Sequence, residues 1–212
     1  MRILVFGAAG NVGCRVVAEA LTRGHEVTSV LRNLKQAPER LRGSILLTGN
    51  AANAGDVAEL SVGQDLVISA TRPGPGNEHD HAKTAKALLE GLRLTGVRLL
   101  LVGGAGSLVA PDTGREIIDD QRYVLPAWRE IAVACCDQYA VCRAETEADW
   151  TYLCPPARLQ PGKRTGHYRT GDDTLLVDAD GSSSISMEDL AVALLDEAEN
   201  PRHRRSRFTV AY

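Results

Sequence analysis

Three glycines, Gly7, Gly10 and Gly13, stand between an apolar run, Ile3-Leu4-Val5-Phe6, and a helical pattern. Their spacing suits the chemistry of holding a pyrophosphate. Gly7 permits the tight turn out of a strand, Gly10 lets the main chain approach an anion closely, and Gly13 lets the helix pack on the sheet. Free N–H groups at the helix start then face the phosphate oxygens, where the helix dipole favours negative charge. Glycines alone are weak evidence. Here they follow a strand and open a helix, the setting in which a nucleotide site is expected.

The end of the second apolar run, Val27 to Leu31, bears on which nucleotide. A carboxylate there would hydrogen-bond a ribose 2′-hydroxyl and repel a 2′-phosphate. The chain instead reads Leu31-Arg32-Asn33-Leu34-Lys35, with no acid, and Arg32 lies 19 residues past Gly13. A guanidinium suits a phosphate, so NADP is expected over NAD.

Positioning these groups requires a strand, a turn, a helix and a second strand, and the rest of the chain continues that alternation. Further strands are predicted at about Ile45–Thr48, Leu66–Ser69, Val97–Val102 and Trp150–Cys154, with a last one at Phe208–Tyr212. Asp56 to Leu60 reads as a short helical turn and His79 to Thr95 as a helix ended by Gly96. A long helix is expected from Pro126 to about Ala148, and one after Ser186, whose pairing with Asp189 resembles a capping box. Thr71-Arg72-Pro73-Gly74-Pro75-Gly76 cannot be helical. Gln160 to Gly181 reads as a loop with a small hairpin, and the basic run Arg202–Arg207 as a solvated turn. The alternation predicts an α/β fold, a Rossmann-type, doubly wound, mainly parallel sheet with helices on both faces. One domain over residues 1–212 is expected.

A formal charge of −3 and a pI near 6.0 give no bias toward nucleic acid or an anionic membrane. No apolar run approaches the ~20 residues of a membrane helix. Met1-Arg2-Ile3-Leu4 runs straight into the glycine turn, so a secretory leader is not expected and the cytoplasm is the default location. The five cysteines, Cys14, Cys135, Cys136, Cys142 and Cys154, show no paired spacing. They read as small fillers of a reduced core rather than disulfides or a metal site. A small-molecule substrate is the expected partner, and no oligomerisation element is evident.

Gly-x-x-Gly-x-x-Gly at residues 7–13 resembles the turn of the extended and atypical short-chain dehydrogenase/reductases. Gly103-Gly104-Ala105-Gly106-Ser107-Leu108, Asp149-Trp150-Thr151-Tyr152 with Pro155-Pro156, and Arg164 to Arg169 resemble the small NAD(P)H-binding proteins akin to NmrA and the biliverdin-IX beta/flavin reductases. Ser186 to Asp189 and Arg207 to Tyr212 continue the likeness, which covers nearly the whole chain. It implies that Gly7, Ala9, Gly10, Asn11 and Val12 hold the pyrophosphate and Arg32 the 2′-phosphate. It implies further that Gly49 and Asn50 border the adenine, that Ala70, Thr71 and Arg72 run beside the nicotinamide ribose, and that Ser107 and Pro155 approach the nicotinamide.

Many such reductases use a Tyr-x-x-x-Lys pair, in which the lysine's charge lowers the tyrosine pKa for proton donation. No tyrosine here has that partner: Tyr123 is followed at +4 by Ala127, Tyr139 by Arg143, Tyr152 by Pro156 and Tyr168 by Asp172. Ser107 and Tyr123 remain as candidate catalytic hydroxyls. His79 and His81 follow the Gly/Pro loop and read first as ordinary helix-start residues. Hydride transfer to a flavin, quinone or similar conjugated carbonyl compound needs mainly orientation, so an NADPH-dependent reductase of such an acceptor is expected. A non-catalytic NADP(H)-binding redox sensor is the alternative, and a sugar-nucleotide epimerase or dehydratase a third. Leu108–Leu125 and Gln160–Gly181 are the expected walls over the substrate.

Overall fold

The computed structural model describes residues 1–74 and 76–212. Pro75, in the predicted Gly/Pro loop, and the side chain of Gln36 lie outside the described residues. The strands are β1 (Arg2–Phe6), β2 (Glu26–Leu31), β3 (Ile45–Thr48), β4 (Leu66–Ser69), β5 (Arg98–Val102), β6 (Trp150–Cys154), β7 (Arg158–Gln160), β8 (Arg169–Gly171), β9 (Ser184–Ser186) and β10 (Ser206–Ala211). The helices are α1 (Asn11–Thr22), α2 (Ala54–Ser61), α3 (Asp80–Thr95), α4 (Arg129–Ala144) and α5 (Met187–Glu199).

Eight strands form one sheet in the order β3-β2-β1-β4-β5-β6-β10-β8. Every pairing in it is parallel except that of β8 with β10. The expected α/β, Rossmann-type architecture is therefore what the chain adopts. Successive residues of β1 point to opposite faces. Ile3 and Val5 pack in one core with Val16 and Val17 of α1 and Leu190 and Leu194 of α5. Leu4 and Phe6 pack in the other with Val57 of α2, Leu88 and Leu92 of α3 and Cys142 of α4. A strand buried on both faces cannot alternate polar with apolar, which explains the unbroken Ile3–Phe6 run.

Several boundaries differ from expectation. α2 begins at Ala54 because the Asn53 side chain accepts the N–H groups of Gly55 and Asp56. A 3-10 turn, Pro126–Trp128, precedes α4. α4 stops at Ala144, short of Ala148, where Glu145 turns its carboxylate onto the N–H groups of Glu147 and Ala148. Gln160–Gly181 contains no hairpin of its own: β8 becomes the edge of the main sheet, and β7 pairs in parallel with β9. No helix among the described residues is long and apolar enough to cross a membrane.

Candidate functional site

The strand order reverses between β1 and β4, and a cleft of about 1250 Å³ opens at the carboxyl ends of the strands there. This is where open α/β sheets bind ligands. Its volume exceeds the ~300–1,000 Å³ typical of a drug-sized ligand, leaving room for a dinucleotide beside a second molecule.

The glycine turn forms one end. Gly7 has φ +76°, a left-handed conformation, and a Cβ on it would lie 2.5 Å from the Ala70 carbonyl oxygen. A Cβ on Gly13 would lie 2.1 Å from the Gly7 carbonyl oxygen. Glycine is thus required at both positions for the loops after β1 and β4 and the start of α1 to close together. Gly10 is exposed and caps α1 without any side-chain hydrogen bond, and the first turn of α1 carries no acid. Its N–H groups and dipole are left for an anion from outside the helix. Arg32, Arg72, Lys83 and Arg158 line the cleft against one carboxylate, Asp80. The donor set therefore fits a dinucleotide phosphate group: an uncapped helix start, close main-chain approach and a cationic rim.

Arg32 is exposed at the end of β2, and the neighbouring Asn33 side chain accepts the Lys35 N–H in a local turn. Arg40, which sequence reasoning passed over, reaches back 2.6 Å to the Ala9 carbonyl oxygen. Nothing in the sequence signals this, because the contact depends on how the segment after β2 folds across the glycine turn. Ala9, Asn11, Val12, Gly49, Asn50, Ala70, Thr71 and Pro155 line the same cleft. Gly49 also has a packing reason to be glycine, since a Cβ would lie 2.4 Å from Leu60 Cδ1.

The other end is built by the loop after β5 and by α4. A Cβ on Gly103 would fall 1.8 Å from the Tyr152 ring, and one on Gly104 would lie 2.7 Å from Cys135 Cβ. These glycines bring the loop onto a buried polar chain. Gly104 N–H donates to the Tyr152 hydroxyl, which lies 3.0 Å from both the Cys135 carbonyl oxygen and Gln138 Oε1. Gln138 Nε2 in turn faces Nδ1 of His81 at 3.4 Å. Burial raises the Tyr152 hydroxyl well above its ordinary pKa, so it serves as a structural pin rather than an acid. Val124, exposed Trp128, Ile131 and Ala132 complete an apolar wall, and the Arg72 guanidinium lies 6.0 Å from the Trp128 ring centroid.

Of the candidate hydroxyls, Tyr123 is on the cleft wall, with the Arg122 guanidinium 5.2 Å from its ring centre. Ser107 is not. It is buried, and its Oγ and carbonyl oxygen both accept from Arg207, at 2.9 and 3.0 Å. The basic run is a solvated turn as far as Arg205, with Arg202, Arg204 and Arg205 exposed; its last residue departs from that, since the Arg207 side chain is only 9% exposed, pairs with Asp173 and lies 4.6 Å from the Tyr139 ring centroid. Tyr139 thus faces Arg207, while Arg143 on its own helix is exposed. The expected covering loops also need correction. From Leu108–Leu125 only Tyr123 and Val124 reach the cleft, and Gln160–Gly181 contributes no lining residue. That segment packs on α1 and α5 instead, where Arg164 pairs with Glu19 and Thr165 and Gly166 donate to Asp189. The walls are Tyr123 to Cys135 and Pro155 to Leu159.

Burial pushes the thiols of Cys135, Cys142 and Cys154 up to about 12 and that of Cys136 to about 11. Cys135, Cys142 and Cys154 are buried and Cys136 is half-buried, and all four lack thiolate character at neutral pH.

A family model described as NAD(P)H-binding matches residues 7–201. The uncharacterized protein YwnB of Bacillus subtilis is 36% identical over 216 residues, covering 99% of this chain and 98% of its own. Among solved structures, a provisionally named exported protein from Burkholderia pseudomallei is 37% identical with a TM-score of 0.90, covering 100% of both chains. SP1627, a provisionally named NADH-flavin reductase from Streptococcus pneumoniae, is 28% identical with a TM-score of 0.88, covering 100% of this chain and 99% of its own. With its glycine turn, switch-point cleft and cationic rim, this chain belongs to the NAD(P)H-binding family.

Proposed function

We infer that the protein is an NADPH-dependent reductase of small, planar, conjugated acceptors such as flavins or quinones. The observation that carries this reading is the single cleft joining an uncapped helix start and an acid-free, arginine-bearing end of β2 to an apolar wall at β5 and α4. The name of the Streptococcus relative, which is 28% identical, points to the same reaction class. Gly10, Asn11 and Val12 would hold the pyrophosphate at the start of α1. Arg32 would take the 2′-phosphate, and Asn50 would border the adenine. Pro155 and the Gly103–Gly106 loop would bound the nicotinamide end. The bound dinucleotide supplies the hydride. The reaction balances as NADPH, a proton and the acceptor giving NADP+ and the two-electron-reduced acceptor.

The chain's own part is orientation. Trp128, Ile131 and Ala132 offer a flat apolar surface that excludes water from one side of the acceptor. Arg72 stands over Trp128, where a cation stabilises a developing negative charge. The proton can arrive from solvent, so no Tyr-Lys pair is needed. The test is purified protein mixed with NADPH or NADH and a panel of flavins and quinones, following cofactor absorbance. Oxidation of NADPH in preference to NADH, dependent on acceptor, is the expected result. No oxidation above background with any acceptor would sink the reading, and equal rates with both cofactors would remove the NADPH preference.

A further inference from the structure

His81 is 4% exposed, lines the cleft and belongs to the first turn of α3. Its two ring nitrogens have different fates. Nδ1 faces the Gln138 amide, whose oxygen is directed at the Tyr152 hydroxyl and whose nitrogen is therefore directed at His81. With the amide assigned that way, Nδ1 is an acceptor and Nε2 carries the proton. Among the described residues that Nε2–H has no hydrogen-bond partner, although it is buried. Buried donors are almost always paired, and an orphan on a residue that lines a ligand cleft leaves a bond for an acceptor that arrives with the ligand. Burial, and then the positive charge of Arg72, hold the imidazole below its ordinary pKa; Glu78 opposes them. The ring therefore stays neutral at neutral pH.

Its position favours the reacting end of the cleft. The chain His81–Gln138–Tyr152 ends on the Gly104 N–H, in the loop that forms the floor beside Cys135. Resting on the reductase reading, we propose that His81 is a catalytic residue that donates its Nε2–H to the electron-rich edge of the acceptor. The acceptor class is then a flat conjugated compound with a carbonyl oxygen or imine nitrogen on that edge. No proton need leave His81: the hydrogen bond strengthens as the acceptor gains electron density, which is the differential binding that raises kcat. Gln138 and Tyr152 are positioning residues that fix the ring and its tautomer.

The test has two readouts on the full-length protein. In the first, the Nε2–H signal of His81 is followed by NMR with labelled histidine while FMN is added in the presence of NADP+, so that no turnover occurs. A shift of that signal, absent when NADP+ alone is added, is expected. In the second, His81→Phe is compared with His81→Gln, whose amide nitrogen can reach the Nε2 position. His81→Phe should lose about 10- to 100-fold in kcat/KM for the acceptor with NADP+ affinity unchanged, and His81→Gln should recover part of it. Wild-type turnover with kcat/KM unaltered in His81→Phe would overturn the proposal and leave the reductase reading intact. A shift on FMN binding without turnover by any acceptor would support His81 as the ligand contact and remove the reductase reading. An unmoved signal in the presence of bound FMN overturns the proposal, including where His81→Phe fails to fold.

Discussion

Arg32 and Gly103 make contrasting residues, one exposed at the rim and one locked in the floor. Arg32 is exposed at the end of β2 and lines the cleft. Arg32→Ala should weaken NADPH binding by roughly 1.5–3 kcal/mol, the worth of hydrogen bonds to a charged group. NADH binding should barely change, and titration calorimetry with both cofactors checks the contrast. Equal loss for both would show that Arg32 does not meet the 2′-phosphate. Gly103 has no space for a Cβ, which would fall within the Tyr152 ring at 1.8 Å. Gly103→Ala should therefore cost roughly 3 kcal/mol or more through overpacking, read as a large drop in Tm. A near-native Tm would mean that Tyr152 and its hydrogen bonds are not rigidly placed.

At the scale of elements, α5 illustrates how a predicted cap gains a second use. Ser186 accepts the Asp189 N–H at 2.9 Å, as the sequence pattern predicts, and also donates to the Lys163 carbonyl oxygen at 2.8 Å. Ser186→Ala should cost about 1–2 kcal/mol, since both a helix cap and a tether are lost. Denaturant unfolding measures this, and a loss of only a few tenths would show the Lys163 contact to be idle. β10 carries Arg207 inward to Ser107, 100 residues away in sequence. Arg207→Met removes the charge from a nearly buried site while keeping much of the apolar stem. It should destabilise the fold by roughly 2–3 kcal/mol, with NADPH affinity unchanged. A fall in affinity without a fall in stability would place Arg207 in the binding machinery instead.

Across the whole molecule, Glu19 holds the C-terminal third to α1 and Asp189 holds that third together. Glu19 is kept below the usual carboxylate range, first by its hydrogen bonds from Arg164 and also by Arg23, against the effect of burial. For Asp189, burial alone would raise the pKa; the Gly166 N–H, the Thr165 hydroxyl and N–H, and the Tyr212 hydroxyl outweigh it and hold it low. A carboxyl whose folded pKa lies below its unfolded value binds fewer protons when folded. Its stabilisation is complete above the unfolded value, about 4, and is lost as pH falls through the folded value. Urea midpoints should thus fall steeply below about pH 4, and Glu19→Gln should flatten that slope while lowering the midpoint at pH 7. A slope unchanged in Glu19→Gln would remove it from the acid response.

Much of the site was legible in the chain, and the reason is local. A glycine turn acts within a few residues, so Gly7, Gly10 and Gly13 could be assigned their work from spacing. The absence of an acid after β2 needs no fold to be noticed. Burial of β1, β4 and β5 on both faces writes itself as unbroken apolar runs, from which the parallel sheet and its helices follow. By itself the sequence determined the Rossmann-type fold, the glycine turn that lines one end of the cleft and the lack of a Tyr-Lys pair. Only the tertiary structure decided what stands opposite the glycine turn. Ser107 is turned away by an arginine from the last strand, Gln160–Gly181 is drawn off the cleft by Glu19 and Asp189, and His81 is left with one nitrogen paired through α4 and the other, among the described residues, without a partner. Each outcome depends on residues brought together from distant parts of the chain. Strand order and helix packing choose such partners, and local periodicity carries no record of that choice.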